Sequence, residues 1–218
     1  MMNEGGGRTA YDVSGNQIHA TFNNLVTWSN GQFGTAVTLD GTNALMQLAA
    51  TLTLSGNVTY SAWVKPTGTQ DYRHVIGPGT NDWGIFLTPA NIVYGTLGGA
   101  DTVTGVATVP QNAWTHIALT WDGTTSTLYQ NGRPDGTSAT LSRFNIRTFG
   151  GDQIGTGTET WEGAMDDIRV YARCLGAGEI QSLYLDPFLE FRPVLSARRV
   201  KSLLSIPVLM ATYRQRRI

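Results

Sequence analysis

The sequence predicts an all-β fold, an antiparallel β-sandwich, from three observations. Apolar residues alternate with polar ones over long stretches, turn dipeptides recur at short intervals, and only 14% of the 218 residues are charged. The 26 glycines and the many Thr and aromatic residues fit tight turns and half-buried pleated strands. A chain of this length can form one large β-domain.

Alternation is longest in residues 57–66 and 113–122. In the first segment the apolar set is Val58, Tyr60, Ala62 and Val64. Alternation with a period of two over such lengths predicts strands. Shorter segments with the same character predict further strands at 33–39, 44–48, 74–77, 83–88, 91–96, 102–109, 125–130, 151–156 and 161–171.

The turns between these strands are marked by Asp40-Gly41, Asp122-Gly123 and Asn131-Gly132. Asp-Gly and Asn-Gly favour tight hairpins, because both central residues must adopt positive φ. Many short strands joined by such turns indicate a sandwich. The tryptophans Trp63 and Trp121 are predicted to pack in or beside its core.

A short helix is predicted at Ala177–Leu185, where apolar residues share one face, and Pro187 ends it. The chain therefore divides into a sandwich, residues 1–185, and a C-terminal arm, residues 186–218. The arm holds seven Lys/Arg and two Asp/Glu, a net charge of +5, whereas the sandwich holds eight basic and fourteen acidic residues, a net of −6. Such asymmetry is typical of an interaction arm.

The arm mixes basic with aliphatic residues, which favours docking on a protein over binding nucleic acid through phosphates. We expect it to dock on a partner or on a neighbouring copy. The residues predicted to do so are Arg198, Arg199, Lys201, Leu203, Leu204, Arg214, Arg216 and Arg217.

The sequence shows no signal peptide, no membrane-spanning segment and one cysteine. The first residues lack the basic and apolar regions of a signal peptide, and the apolar run Ile206–Ala211 is too short to span a membrane. The single cysteine, Cys174, excludes an intrachain disulfide and is predicted to pack beside a hydrophobic turn.

Five segments resemble the laminin G-like, concanavalin A-like jelly-roll family, in the family's order. They are Asn3-Glu4-Gly5-Gly6-Gly7 with Ala10–Asn16, Phe33–Gly41, Tyr60-Ser61-Ala62-Trp63-Val64-Lys65-Pro66, Trp114–Gly123 with Leu128–Gly132, and Gly163–Tyr171 with Leu175, Glu179 and Ile180. The resemblance covers residues 3–185 and implies a jelly-roll sandwich from the binding-module branch of the family.

Catalysis is not predicted. Related glucanases carry two carboxylates on one strand face in a Glu-x-Asp-x-x-Glu pattern, which is missing here. Glu159 and Glu162 are three apart, so on a strand they would point to opposite faces. The histidines His19, His74 and His116 have no nucleophile motif beside them, and His-Glu-x-x-His is missing.

A structural calcium ion is implied by the resemblance, which places its ligands at Glu4 or Asp12 and at Asp166. Residues 12–16 offer oxygens at alternate positions beside a glycine, which suits Ca²⁺. The alternative is that Asp12 caps a turn and that Asp166 pairs with Arg169 or Arg173.

A sugar site is predicted around the glycine-rich turn Gly77–Gly79. An aromatic ring stacks on the C–H groups of a sugar, while amides and carboxylates bind its hydroxyls. The predicted ligand residues are Tyr72, Arg73, Asn81, Asp82 and Trp83. The alternative is that Trp83 opens a strand and caps the core.

Three function classes follow, in order of preference. The first is a virion surface component, such as a capsid-decoration, head-fibre or tail protein, which displays a lectin-like sandwich and assembles through its arm with copies of itself or with capsid or tail proteins. The second is an extracellular bacterial carbohydrate-binding or adhesion module. The third is a glycoside hydrolase. The ranking depends on fold-level analogy.

Overall fold

A computed structural model describes residues 4–22, 26–68, 72–80, 84–97, 101–140, 143–151 and 159–188. Two antiparallel sheets pack face to face, and one helix covers the outside of one of them. The prediction of an all-β antiparallel sandwich with one short C-terminal helix is confirmed. The arm residues from 189 onward, and Asn81, Asp82 and Trp83, lie outside the described residues.

The elements follow one another in chain order as β1 (Thr9–Ala10), β2 (Ala20–Phe22), β3 (Thr27–Asn30), β4 (Thr35–Asp40), β5 (Met46–Leu52), β6 (Val58–Pro66), β7 (Arg73–Gly77), β8 (Gly84–Leu87), β9 (Ile92–Leu97), β10 (Asp101–Thr108), β11 (Thr115–Trp121), β12 (Ser126–Gln130), β13 (Arg133–Ser138), β14 (Ile146–Phe149), β15 (Glu162–Tyr171) and α1 (Ala177–Leu185). The eight-stranded sheet has the order β1-β2-β5-β14-β7-β8-β9-β10. The seven-stranded sheet has the order β13-β12-β11-β6-β15-β4-β3.

The two strands with the longest alternation, β6 and β11, are neighbours in the seven-stranded sheet, with Ala62 opposite Ile117 and Tyr60 opposite Leu119. These four side chains belong to the core between the sheets. The other face of β6 is also buried, because Thr59, Ser61 and Trp63 are covered as well. The alternation in the sequence predicts that one face of β6 is buried, whereas in the structure both faces are buried.

Helix α1 provides that second cover. Ile180 and Leu183 are buried against Ala118 and Tyr129 on the outer face of the seven-stranded sheet and against Leu175 in the segment before the helix. The N-terminus of the helix is capped by a hydrogen bond, in which the backbone N–H of Gly176 donates to Glu179 Oε2 at 2.9 Å. The contact places a second hydrophobic layer outside the sandwich.

Strands that the periodicity does not predict lie at edges or are short. β13 forms one edge of the seven-stranded sheet and contains Pro134. Proline is tolerated at an edge because the missing N–H removes no ladder bond there. β1, β2 and β14 have only two, three and four residues, too few for a periodic pattern, although β14 lies in the middle of the eight-stranded sheet. Of the strand predicted at 151–156, residues 152–156 lie outside the described residues.

Cys174 is a free, half-buried thiol whose Sγ lies 3.7 Å from the carbonyl oxygen of Leu175. No helix in the described part of the chain has the length and apolar character needed to cross a membrane.

Candidate functional site

The outer face of the eight-stranded sheet between β7 and β10 is built by alternation. Val75, Ile85, Leu87, Val93 and Val103 point into the core between the sheets. Since successive side chains along a strand point to opposite faces, the residues between them point outward. The outward face of these strands is the one that a ligand can approach.

Strand register aligns the outward side chains into rows. His74 lies opposite Phe86, Phe86 opposite Tyr94, and Tyr94 opposite Thr104. Toward β7 this row is buried, and the His74 and Phe86 rings meet edge to face at 4.9 Å. Toward the sheet edge it opens, since Thr104 on β10 is exposed.

The open end of this face forms an aromatic–threonine patch, which we define as Tyr72, Tyr94, Thr102 and Thr104. The Tyr72 ring is 40% exposed and lies 6.2 Å from the Tyr94 ring. Thr102 on β10 is half-buried and Thr104, two residues along the same strand, is exposed. The patch combines flat aromatic surface with hydroxyl groups.

Gly84 lets β8 come close to β7 beneath this face. Its φ is +126°, and a Cβ there would lie 2.2 Å from the carbonyl oxygen of Ile76 and 3.0 Å from His74 Nε2. Any larger residue would force the two strands apart, because backbone atoms cannot yield as a flexible side chain can. Glycine is thus required for the tight pairing that supports the patch.

Arg73, predicted as a ligand residue, is fully buried. Its guanidinium donates to the carbonyl oxygen of Gly68 at 2.7 Å, to that of Thr88 at 2.9 Å and to Asn91 Oδ1 at 2.6 Å. Burial lowers the pKa of Arg73, and the nearby charge of Glu162 opposes that effect. The side chain joins the segment at Gly68 to the turn between β8 and β9, and its ligand role stays a prediction.

The predicted ligand residues are also divided between two ends of one hairpin. Arg73 pairs with Leu87, so Tyr72 lies at the open end of β7 and β8, whereas Gly77 and Gly84 flank the connection at the other end. Five residues at about 3.3 Å each separate these ends by roughly 15 Å. Asn81, Asp82 and Trp83 belong to that connection and lie outside the described residues.

Each predicted calcium ligand has backbone partners of its own. Glu4 Oε1 accepts from the N–H of Tyr11 at 3.0 Å, and Asp12 accepts from Ser14 at 2.8 Å and from Ile18 at 3.0 Å. Burial alone would raise the pKa of Asp12, but these hydrogen bonds hold it below its ordinary value. Asp12 thus forms the turn that the alternative interpretation expected.

Asp166 lies elsewhere, on β15, and accepts from the N–H groups of Phe33 at 2.8 Å and Asp167 at 2.7 Å. Burial raises its pKa despite these bonds. Asp167, rather than Asp166, pairs with Arg169, at 2.9 Å. The described residues hold no group of three or more His, Cys, Asp or Glu that could bind a metal. They do not by themselves match the roughly six to eight oxygens that Ca²⁺ prefers, and calcium stays a prediction.

The two glutamates considered for catalysis contact different sheets. The carbonyl oxygen of Glu159 accepts from the N–H of His74 on β7, in the eight-stranded sheet, at 2.9 Å. Glu162 begins β15 in the seven-stranded sheet. The pair therefore does not share one strand face.

Sequence reasoning missed Tyr94, Thr102 and Thr104 as site residues. Periodicity placed them on strands, but only the pairing of β9 with β10 brings Tyr94 beside Thr104. Alternation in the sequence could have shown that they share a face, but not which strands lie side by side.

Comparison with known structures finds the same fold in proteins of low sequence identity. Domain 4 of AbnA, a GH43 extracellular arabinanase from Geobacillus stearothermophilus, in complex with arabinotriose, is 19% identical with a TM-score of 0.64, covering 78% of this chain and 91% of that one. The binding domain of botulinum neurotoxin serotype G is 20% identical with a TM-score of 0.58, covering 80% of this chain and 48% of that one. A Trypanosoma rangeli sialidase is 15% identical with a TM-score of 0.65, covering 87% of this chain and 32% of that one.

The chain thus spans most of the arabinanase domain, about half of the neurotoxin domain and about a third of the sialidase. No curated protein sequence matches it significantly. A family model described as concanavalin A-like lectin/glucanases superfamily matches residues 39–181, from the end of β4 into α1. On this match, which includes most strands of both sheets and those of the patch, the chain belongs to the concanavalin A-like lectin/glucanase superfamily.

Proposed function

We propose that this chain is a non-catalytic carbohydrate-binding module that holds a glycan on the aromatic–threonine patch. The observation that carries the proposal is the exposed Tyr72 ring beside Tyr94 on the outer face of the eight-stranded sheet. β10 is the last strand of that sheet in the described part of the chain, and its backbone at Val106 and Ala107 donates to Asp135 on β13 of the other sheet. The exposed outer face, rather than the strand edge, is therefore the surface that an extended oligosaccharide can reach without entering a pocket.

The chemistry of the patch suits a sugar. Tyrosine rings offer an apolar face to pyranose or furanose C–H groups, and their hydroxyls remain available for hydrogen bonds. The threonine hydroxyls on β10 can both donate and accept, as sugar hydroxyls do. None of the four patch residues carries a charge, so the patch favours neutral sugar units over strongly anionic ones.

The structural neighbours support a binding module over a virion component. The arabinanase domain, nearly all of which this chain covers, was solved with arabinotriose, and another neighbour is the binding domain of a toxin. The three neighbours named above are not virion proteins. The virion role and virion location, which depend on residues 186–218, stay predictions, and an extracellular location is the one that fits the module.

The non-catalytic part of the proposal is supported by the buried carboxylates. Asp166 accepts two backbone N–H groups, and Asp167 holds Arg169. Both are buried on β15. Groups bound in this way stabilise the fold and are poorly placed to donate or accept a proton from a substrate.

The proposal is tested by glycan binding to the full chain and to Tyr72→Ala. The probes are arabinotriose and an array of neutral and sialylated oligosaccharides. Truncating a central aromatic contact typically costs about 2 kcal/mol, so we expect Kd to rise about thirtyfold. Calorimetry with arabinotriose, or with the array glycan that is retained best, measures this change.

The matched control is Tyr11→Ala, since Tyr11 is a tyrosine of similar exposure, at 55%, in the loop before β2. This variant should bind as the parent does. Retention of no glycan by the parent chain would reject the module, and an equal loss in the two variants would reject the patch as its site.

A further inference from the structure

A second surface feature is a cleft of about 250 Å³ at the end of the sandwich where β1, β2 and β5 face the last residues of β15. Its inner wall is mostly apolar and includes Leu48, Leu52, Phe149 and Val170. The loop between β1 and β2, residues 11–19, forms the rim. The cleft lies on β1, β2 and β5, at the opposite edge of the eight-stranded sheet from β10 and the patch.

The rim exposes apolar side chains to an unusual degree. Of the six large apolar residues that are exposed in the described part of the chain, three line the cleft: Tyr11, Val13 and Ile18. Val13 is 59% exposed. Scattered exposed apolar residues need no explanation, but a cluster around a concave apolar wall marks an interaction site. The volume is below the roughly 300–1,000 Å³ of small-molecule sites, and it suits a few aliphatic side chains.

The rim also carries a fixed negative charge. Asp12 lines the cleft, and its carboxylate is held in place by the backbone N–H groups of Ser14 and Ile18. Hydrogen bonds that stabilise the charged form keep this group anionic at neutral pH. An occupant with aliphatic side chains flanked by basic ones would match both the wall and the rim.

The chain itself supplies such a segment close by. Arg169, which lines the cleft, donates from Nη2 to the carbonyl oxygen of Pro187 at 2.6 Å. The Phe188 ring then packs edge to face on Phe33 at 5.4 Å, so the start of the arm is fixed beside β15. Residues 189–218 follow, and an extended chain covers about 3.3–3.6 Å per residue.

We propose that the C-terminal arm of the same chain docks in this cleft, with aliphatic residues of 203–210 on the apolar wall and basic residues near Asp12. The sequence of the arm fits the chemistry, since Leu203, Leu204, Ile206 and Leu209 are preceded by Arg198, Arg199 and Lys201. The net charges of the two parts, +5 and −6, attract each other. The docking is independent of the glycan patch.

The test is limited trypsin digestion of the full chain, with cleavage after Arg198, Arg199 and Lys201 followed by mass spectrometry. A synthetic peptide of residues 189–218 gives the cleavage rate of the free arm. We expect the parent chain to be cut there at least tenfold more slowly than the peptide, since protection follows the population of the undocked state. Val13→Asp, which puts a charge on the apolar rim, should raise the rate to that of the peptide.

Val106→Asp is the matched control, because Val106 is a valine at 82% exposure on β10, at the opposite edge of the sheet. It should leave the arm protected. Ile18→Asp provides a second rim variant, and unchanged melting temperatures show that each variant folds. Equal cleavage of parent chain and peptide, or protection that Val13→Asp and Ile18→Asp leave intact, would overturn the proposal. Protection that falls on dilution would also overturn it, since the arm would then come from a second copy.

Discussion

The outer faces of the two sheets both carry aromatic residues, but one face is covered by α1 and the other is partly open to solvent. On the seven-stranded sheet, Trp63 and His116 are buried beneath α1, with Tyr184 stacked on Trp63 at 5.6 Å. On the eight-stranded sheet, Tyr72 and Tyr94 form a ring pair that stays open toward β10. Aromatic residues therefore build structure where they are covered, as at Trp63 and in the buried His74–Phe86 pair, and offer a binding surface where they stay exposed, as at Tyr72. Four substitutions separate these roles, and the largest effect is expected on the covered face.

Trp63→Ala should destabilise the fold the most. The Trp63 ring contacts Phe33, His116 and Tyr184 at centroid distances between 5.5 and 5.6 Å. Removing it leaves a cavity beneath the helix, and such a change costs about 3–5 kcal/mol. Urea unfolding followed by circular dichroism measures the loss.

Tyr72→Ala is the comparison for that experiment, since it removes an aromatic ring from the open face. Its free energy of unfolding should change by no more than about 0.5 kcal/mol, as for other surface substitutions. Equal destabilisation by the two variants would show that the open face is structural as well.

His116 should make the covered face sensitive to acid. Burial, together with the positive charge of Arg169, lowers the pKa of His116 to about 4 from an ordinary value of 6.5. The unfolded chain therefore takes up a proton at a higher pH than the folded one does. The stabilisation is complete above pH 6.5 and declines as the pH falls toward 4, by about 3 kcal/mol.

Chemical denaturation at several pH values between 7 and 4 measures this decline. His116→Gln removes the titrating group, so its free energy of unfolding should change less over the same interval. If the parent and the variant show the same pH dependence, the titration of His116 does not account for the loss. A decline completed above pH 6.5 would likewise exclude this histidine.

Most of the sandwich could be predicted from the sequence because its cause is local. Alternation in β6 and β11 and the Asp-Gly and Asn-Gly turns depend on neighbouring residues alone. The turn at Asp12 is local too, since its partners Ser14 and Ile18 are two and six residues away. Helix α1 was also predicted, because its apolar face is visible over a few residues.

The candidate site could be predicted only in part, because its residues meet through pairing of strands. Tyr72 was identified from its chemistry, but its neighbours on β9 and β10 depend on a register that no local pattern specifies. For Arg73 the residue type was misleading, because arginine side chains are usually exposed and this one is fully buried. The acceptors that allow its burial, on Gly68, Thr88 and Asn91, come together only in the folded chain.

The smallest effect is expected from Thr104→Val, which removes one hydroxyl from the patch and keeps the shape of the side chain. Thr104 is exposed and lies opposite Tyr94 on β10. One neutral hydrogen bond contributes about 0.5–1.5 kcal/mol, so glycan affinity should fall roughly two- to tenfold. Because valine suits a strand at least as well as threonine does, the free energy of unfolding should not fall. Thr27→Val on β3, which is also exposed but lies at the edge of the other sheet away from β13, is the control and should leave affinity unchanged. A loss confined to Thr104→Val would show that the glycan extends from the tyrosine pair onto β10. Full affinity in both variants would restrict the contact to the tyrosine pair.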